Sequence, residues 1–309
     1  MGTEDRTAAE SAASGERVQR RGPWLQAATR FRRRPLGVLS LLVVVAFVVA
    51  AAFAGMLAPY APGQIFIEYI NAPQAPSFHH GHLLGTDGIG HDELSQLLYA
   101  LRASVTGALV CAAGATAIGT LVGAVAGYVG GLLDAVVSWL IGVVVTMPAL
   151  AVVVLVVVYN LPLAPIWYGV TLMLYMWTTI ARVVRAEVVA LRQREFVDAA
   201  HAAGASPLRV VVRHMLPNAA GSVLVAATAT IGQSILIIAT VDFFDYASGD
   251  ISNPTLGGLV AQATRGLGLA SRASPWWLYA IPSLALGLLL VCVNFAADSL
   301  DDALNPGQA

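Results

Sequence analysis

Apolar residues run almost unbroken through six stretches of the chain, about 36–58, 103–128, 132–158, 163–181, 219–241 and 277–297, and polar residues gather between them. A helix needs roughly 20 apolar residues to cross about 30 Å of hydrocarbon. The pattern therefore predicts an all-α polytopic membrane protein with six transmembrane helices. The third stretch is the least regular, because Asp134 lies near its start and Met147-Pro148 interrupts it. The intervening segments divide the chain into an Arg-rich N-terminal segment (1–35), a first transmembrane helix (36–58), a loop (59–102), a transmembrane core (103–297) broken by a charged loop at 182–217, and a tail (298–309).

Composition agrees with this reading. Hydrophobic residues make up 57% of the chain and charged residues 11%, against about a quarter charged in a soluble domain. All 17 basic residues are arginines; eight lie in the first 35 residues and six in 182–217, while 59–101 has none. Cytoplasmic loops carry the arginine excess, so the N-terminus and 182–217 are assigned to the cytoplasm. Six crossings return the C-terminus to the same side and place 59–101 and 242–276 outside. The cluster at Arg30, Arg32, Arg33 and Arg34 is thus a topology anchor rather than a nucleic-acid arm. The first apolar run is too long for a signal peptide core of roughly 7–15 residues. The first 20 or so residues, rich in Ala, Ser, Glu and Arg, are expected to be disordered.

Several functions lack the residues they need. An ion-driven transporter usually shows carboxylates at membrane depth, yet apart from Asp134 near the start of the third stretch the apolar stretches carry no acidic residue. A self-sufficient secondary transporter or channel is therefore the weaker alternative. A Walker-type phosphate loop requires a lysine, and there is none; no cofactor is expected in this chain. Gly119, Gly123 and Gly127, spaced by four in an apolar helix, read as a face for close helix packing. No catalytic constellation is evident. Cys111 and Cys292 fall inside apolar stretches and read as small core residues. His79, His80 and His82 form an outside cluster, read as ordinary loop residues and not as metal ligands.

The charged stretch "REFVDAAHAAGASPLRVVVRHMLPNA" (194–219) is the most distinctive. Arg182–Ala203 is helix-permissive, and Gly204 is a natural left-handed stop. Ser206-Pro207 predicts an N-cap followed by proline at the first helical position, with a second helix over Leu208–Leu216 ending at Pro217. Ala199, Ala200, Ala202 and Ala203 make the first helix slim, suited to entering a groove on another protein.

"DAAHAAG" followed by "HMLPN" closely resembles the EAA loop of binding-protein-dependent ABC importer permeases. Asp198, Ala199, Ala200, Gly204, His214, Leu216 and Pro217 fit its spacing, with Asp198 in place of the commoner Glu. "HLLGTDGIGHDELSQLLYALRASV" (82–105), "GYVGGLLD" (127–134), "SPWWLYAIP" (274–282) and "NFAADSLDDALNP" (294–306) resemble further segments of the C-type subunit of the dipeptide/oligopeptide/nickel branch. Departures are His91, Gln96 and Ala100 in the first of these, Trp139 and Gly142 where that family often has Arg and Asp, and "DFFDYASG" (242–249).

The resemblance implies the type I importer architecture and a bacterial cytoplasmic-membrane location. It implies a homologous second permease subunit, two cytoplasmic ATPase subunits (or one with two ATPase domains) and an extracytoplasmic solute-binding protein as partners in the lipid bilayer. ATP and Mg would be bound by the ATPases. The coupling residues would be Glu195, Asp198, Ala199, Ala200, Gly204, His214, Leu216 and Pro217, and the implied cargo a di- or oligopeptide, with nickel or another solute as the alternative.

Overall fold

The computed structural model describes residues 23–70, 72–78, 81–158, 165–244, 253–266 and 275–304. Expectations for the first 20 residues, for His79 and His80, for 245–249 and for the end of the tail lie outside those residues. The described chain is helical, without a strand among the described residues. Its elements are α1 (Pro23–Arg32), α2 (Pro35–Ala52), α3 (Ala54–Leu57), α4 (Glu93–Val129), α5 (Gly131–Thr146), α6 (Ala149–Val158), α7 (Pro165–Arg192), α8 (Glu195–Ala202), α9 (Pro207–Val210), a π-helical turn (Val211–Met215), α10 (Leu216–Phe243), α11 (Leu256–Gly266) and α12 (Trp276–Leu304).

Among the described residues, four helices are long and apolar enough to cross a membrane: Pro35–Ala52, Glu93–Val129, Pro207–Phe243 and Trp276–Leu304. The other two expected spans take different forms. Pro148 cannot donate to a continuing helix and drives the preceding residue to extended backbone. The 132–158 stretch is accordingly split, with Met147 at φ −80°, ψ 129° between α5 and α6. The 163–181 stretch lies within α7, whose aromatic and hydroxyl residues and arginines dilute its apolar character. The first span is also interrupted, since helix stops at Ala52 and restarts at Ala54 with Phe53 between them.

The pair α4–α7 forms the most extensive helix contact and carries the larger core. Leu172, Ile180, Val184 and Val188 of α7 are buried there with Cys111 and Ala115 of α4 and Val241 of α10. The approach is close because α4 presents glycines. A Cβ at Gly119 would lie 2.6 Å from the Trp177 carbonyl oxygen, one at Gly123 2.5 Å from that of Ala181, and one at Gly127 2.9 Å from that of Arg185. A second core joins α2, the first half of α4, α10, α11 and α12 around Leu101, Ile235, Leu256 and Leu289. Cys292 is buried in α12.

α4 is 37 residues long, about 55 Å at 1.5 Å per residue, so it outreaches the hydrocarbon. Its first turns stand in the 59–92 loop. Asp92 is the N-cap, accepting from the Ser95 backbone N–H at 2.9 Å and from the Ser95 hydroxyl at 2.7 Å. The same carboxylate meets His82 Nδ1 at 2.8 Å, and both residues are buried. His82 is packed by Tyr60, Phe66 and Tyr69, with ring centroids 5.4, 4.9 and 5.3 Å away. It is a structural clamp rather than an ordinary loop residue, and its neighbours in sequence gave no sign of the Asp92 partner. The three departures nearby are each absorbed. His91 Nδ1 lies 2.8 Å from Asp87, Gln96 donates to the Pro62 carbonyl at 2.5 Å, and Ala100 is buried.

At the opposite end, Arg34 pairs with Asp302, and a Cβ at Gly37 would strike Ser299 at 2.4 Å. The start of α2 and the end of α12 therefore share one face.

Candidate functional site

α7 ends at Arg192, Gln193 and Arg194 break the helix, and α8 begins at Glu195. The expected single helix over 182–203 is thus two. Glu195 and Asp198 occupy the first turn of α8, where the helix dipole favours carboxylates. The other end is closed by paired turn bonds: Gly204 N–H donates to the His201 carbonyl at 2.9 Å, and Ala205 N–H to that of Ala200 at 3.0 Å. This is the Schellman arrangement, which places a left-handed residue just past the helix. Gly204 has φ +79°.

Ser206 then holds extended backbone at φ −65°, ψ 151°, without a side-chain cap bond, and Pro207 opens α9. The second helix does not end at Pro217. A π turn over Val211–Met215 leads directly into α10, and Pro217 sits in the first turn of α10. Proline lacks the N–H that an α-helical register would use, and a wider turn ahead of it accommodates that loss without stopping the helix. His214 and Leu216 are half-buried here, and Asn218 Nδ2 donates to the His214 carbonyl at 2.6 Å.

The loop is anchored from below. Val197, Val210 and Met215 are buried in the α4–α7 core, and Ala200 and Ala205 pack against it. The Tyr128 hydroxyl at the end of α4 lies 3.4 Å from His201 Nε2, and Ser222 of α10 donates to Glu187 of α7 at 2.6 Å. Outward, Ala199, Ala202, Ala203 and Gly204 are exposed, as are the larger apolar side chains Phe196, Leu208 and Val212. The alanines are therefore not one slim surface: Ala200 belongs to the protein's own packing and Ala199 to the outer face. Sequence reasoning passed over Phe196, Leu208 and Val212, although apolar residues in a charged stretch were a usable signal. A small, apolar ledge bordered by Glu195, Asp198 and Arg209, held rigidly on the ends of α4 and α7, is suited to docking a protein.

Residues 119–309, which include this ledge, match the family described as the inner membrane component of binding-protein-dependent transport systems. The chain belongs to that family. Residues 22–76 of the permease also match the N-terminal transmembrane domain of oligopeptide transport permease C. The glutathione transport system permease protein GsiD of Escherichia coli O6:K15:H31 (strain 536) is 30% identical over 289 residues, covering 93% of this chain and 92% of that protein. Those of Shigella boydii serotype 4 and Shigella sonnei match to the same extent. The permease is thus a multi-pass, non-enzymatic transport subunit of an ABC importer, related to the glutathione and oligopeptide permeases.

Proposed function

We propose that the permease imports a small peptide, of the di- to oligopeptide class that includes glutathione, by alternating access against a homologous second subunit. ATP and Mg are bound by cytoplasmic ATPases, and the cargo is delivered by an extracytoplasmic binding protein. The observation that carries this reading is the ledge of Phe196, Ala199, Ala203, Leu208 and Val212, seated on the ends of the two most tightly packed helices. Force applied there meets a rigid pair rather than a loose loop.

A six-span topology with both termini inside is part of the same proposal. A Cβ at Gly130 would lie 3.4 Å from Arg192 Nη1, so α4 and α7 finish at one face. The α5–α6 segment must then leave that face and α7 return to it. Arginines 182, 185, 192, 194, 209 and 213 lie in the last three turns of α7 and in the loop that follows it, a bias that assigns this face to the cytoplasm. With Cys111 and Cys292 removed, cysteine at position 201 should resist an impermeant thiol reagent in intact cells, and cysteine at 246 should react. Labelling of 201 from outside overturns the topology.

Reconstitution tests the function. The purified chain alone should neither bind nor hydrolyse ATP, and proteoliposomes should take up peptide only when the ATPases and binding protein are added. Gradient-driven uptake by the chain alone would instead establish a self-sufficient carrier.

A further inference from the structure

Two side-chain contacts tie α5 to α7. At the start of α5, Arg185 of α7 bridges Asp134 through Nε and Nη2, the latter 2.7 Å from Oδ2. At its end, the Tyr175 hydroxyl donates to the Met147 carbonyl at 2.9 Å. That carbonyl is free because helix stops at Thr146 and restarts at Ala149. The two contacts run in opposite order along α5 and α7, as antiparallel neighbours require. Asp134 is the sole charged residue of α5, and Leu132, Val136 and Trp139 of that helix are exposed. α7, by contrast, lies deep in the core and ends at Arg192, two residues before α8 and the ledge.

We propose that Asp134 and Arg185 are positioning residues for transport, carrying displacement of the 194–219 loop through α7 to α5 and its break at Met147-Pro148. The proposal rests on the coupling reading of that loop. A helix with few apolar anchors follows its neighbour only through directional contacts, and the bridge lies at the end of α5 nearest the loop. Broken helices are tolerated at membrane depth where they are buried in protein or line a water-filled cavity, so the Met147 break is the part of α5 whose displacement would alter the pathway. Trp139 and Gly142 carry no charge to hold Asp134 within its own helix, so the bond to Arg185 is its ion-pair partner.

The test uses the assembled complex of both permease subunits, ATPases and binding protein, with Cys111 and Cys292 removed and Met147 replaced by Cys. Its labelling rate by an impermeant thiol reagent is compared without nucleotide and after trapping with ATP and vanadate. Between these states the rate should change about fivefold or more, the low end of coupling between linked sites. Asp134→Asn and Arg185→Gln should each reduce the change to below about twofold while ATPases still co-purify. The reversed pair, Asp134→Arg with Arg185→Asp, keeps both charges compensated and should restore most of the response. A merely structural bond would lower folded yield and leave the response of surviving complexes intact. A full response in either single variant overturns the proposal, as does a reversed pair no better than the singles. If ATPases fail to co-purify with unsubstituted permease, the coupling reading itself is what has failed.

Discussion

Replacing Gly123 with Val is expected to destabilise the folded permease markedly, whereas Gly142→Ala is expected to leave it intact or slightly stabilised. The two glycines are both interior to apolar helices, so propensity treats them alike. Gly→Ala in a helix gains about 0.8–1.0 kcal/mol. Space separates them. A Cβ at Gly123 would lie 2.5 Å from the Ala181 carbonyl oxygen and 3.0 Å from Val184 Cβ, whereas one at Gly142 meets nothing within 4 Å. The obstruction at Gly123 is backbone, so no rotamer change relieves it, and α4 and α7 must separate. Overpacking typically costs about 1–3 kcal/mol, occasionally more, which outweighs the propensity gain. The cost falls on the largest core contact in the molecule. Membrane abundance and elution as a monodisperse peak after heating in detergent measure it; a Gly123→Val protein as robust as Gly142→Ala would refute close packing as the reason for glycine.

Replacing Gly204 with Val should produce the opposite phenotype: normal folding with lost coupling. No heavy atom lies within 4 Å of the position a Cβ would take, yet φ is +79°. The whole effect therefore comes from the backbone. A left-handed conformation costs a non-glycine residue roughly 1–2 kcal/mol, about a 5- to 30-fold shift in population. The turn opens, α8 loses its closing bonds, and the ledge tilts while the spans are untouched. Asn tolerates the left-handed region better than Val, so Gly204→Asn should retain most co-purification of the ATPases and Gly204→Val little. Equal behaviour of the two variants would remove backbone strain from the explanation. A bulky probe of the outer face belongs at Ala203, which is exposed. At Ala200 it would disrupt the permease's own core.

The local features of the loop were legible in its sequence because each depends on nearby residues. Gly204 ends α8 in both readings, and Pro207 opens the next helix as its position predicted. Arginine placement predicts an orientation that the thiol-labelling experiment tests. What escaped depends on distant partners. Asp134 reads as an isolated charge in an apolar helix, and its mate Arg185 lies 51 positions away. His82 reads as one of three loop histidines until Asp92 and the rings around it are brought together by folding. Pro217 reads as a stop because proline usually is one, and only the π turn before it allows helix to continue. The six apolar stretches likewise resolve unequally: the interruption at Met147-Pro148 was legible, but composition alone does not show that α7 trades apolar character for core packing.

The claim at the centre of this account is that the 194–219 ledge meets an ATPase, and contact at Ala199 tests it most directly. In the assembled complex, with Cys111 and Cys292 removed, cysteine at 199 carrying a photoactivatable benzophenone should cross-link to an ATPase subunit. The same probe at Ser77, on the opposite side of the membrane in this topology, should not. An adduct with the ATPase from 199 alone is the predicted result. A transport-competent complex in which position 199 never reaches the ATPase, or in which it is labelled from outside intact cells, would contradict the coupling assignment.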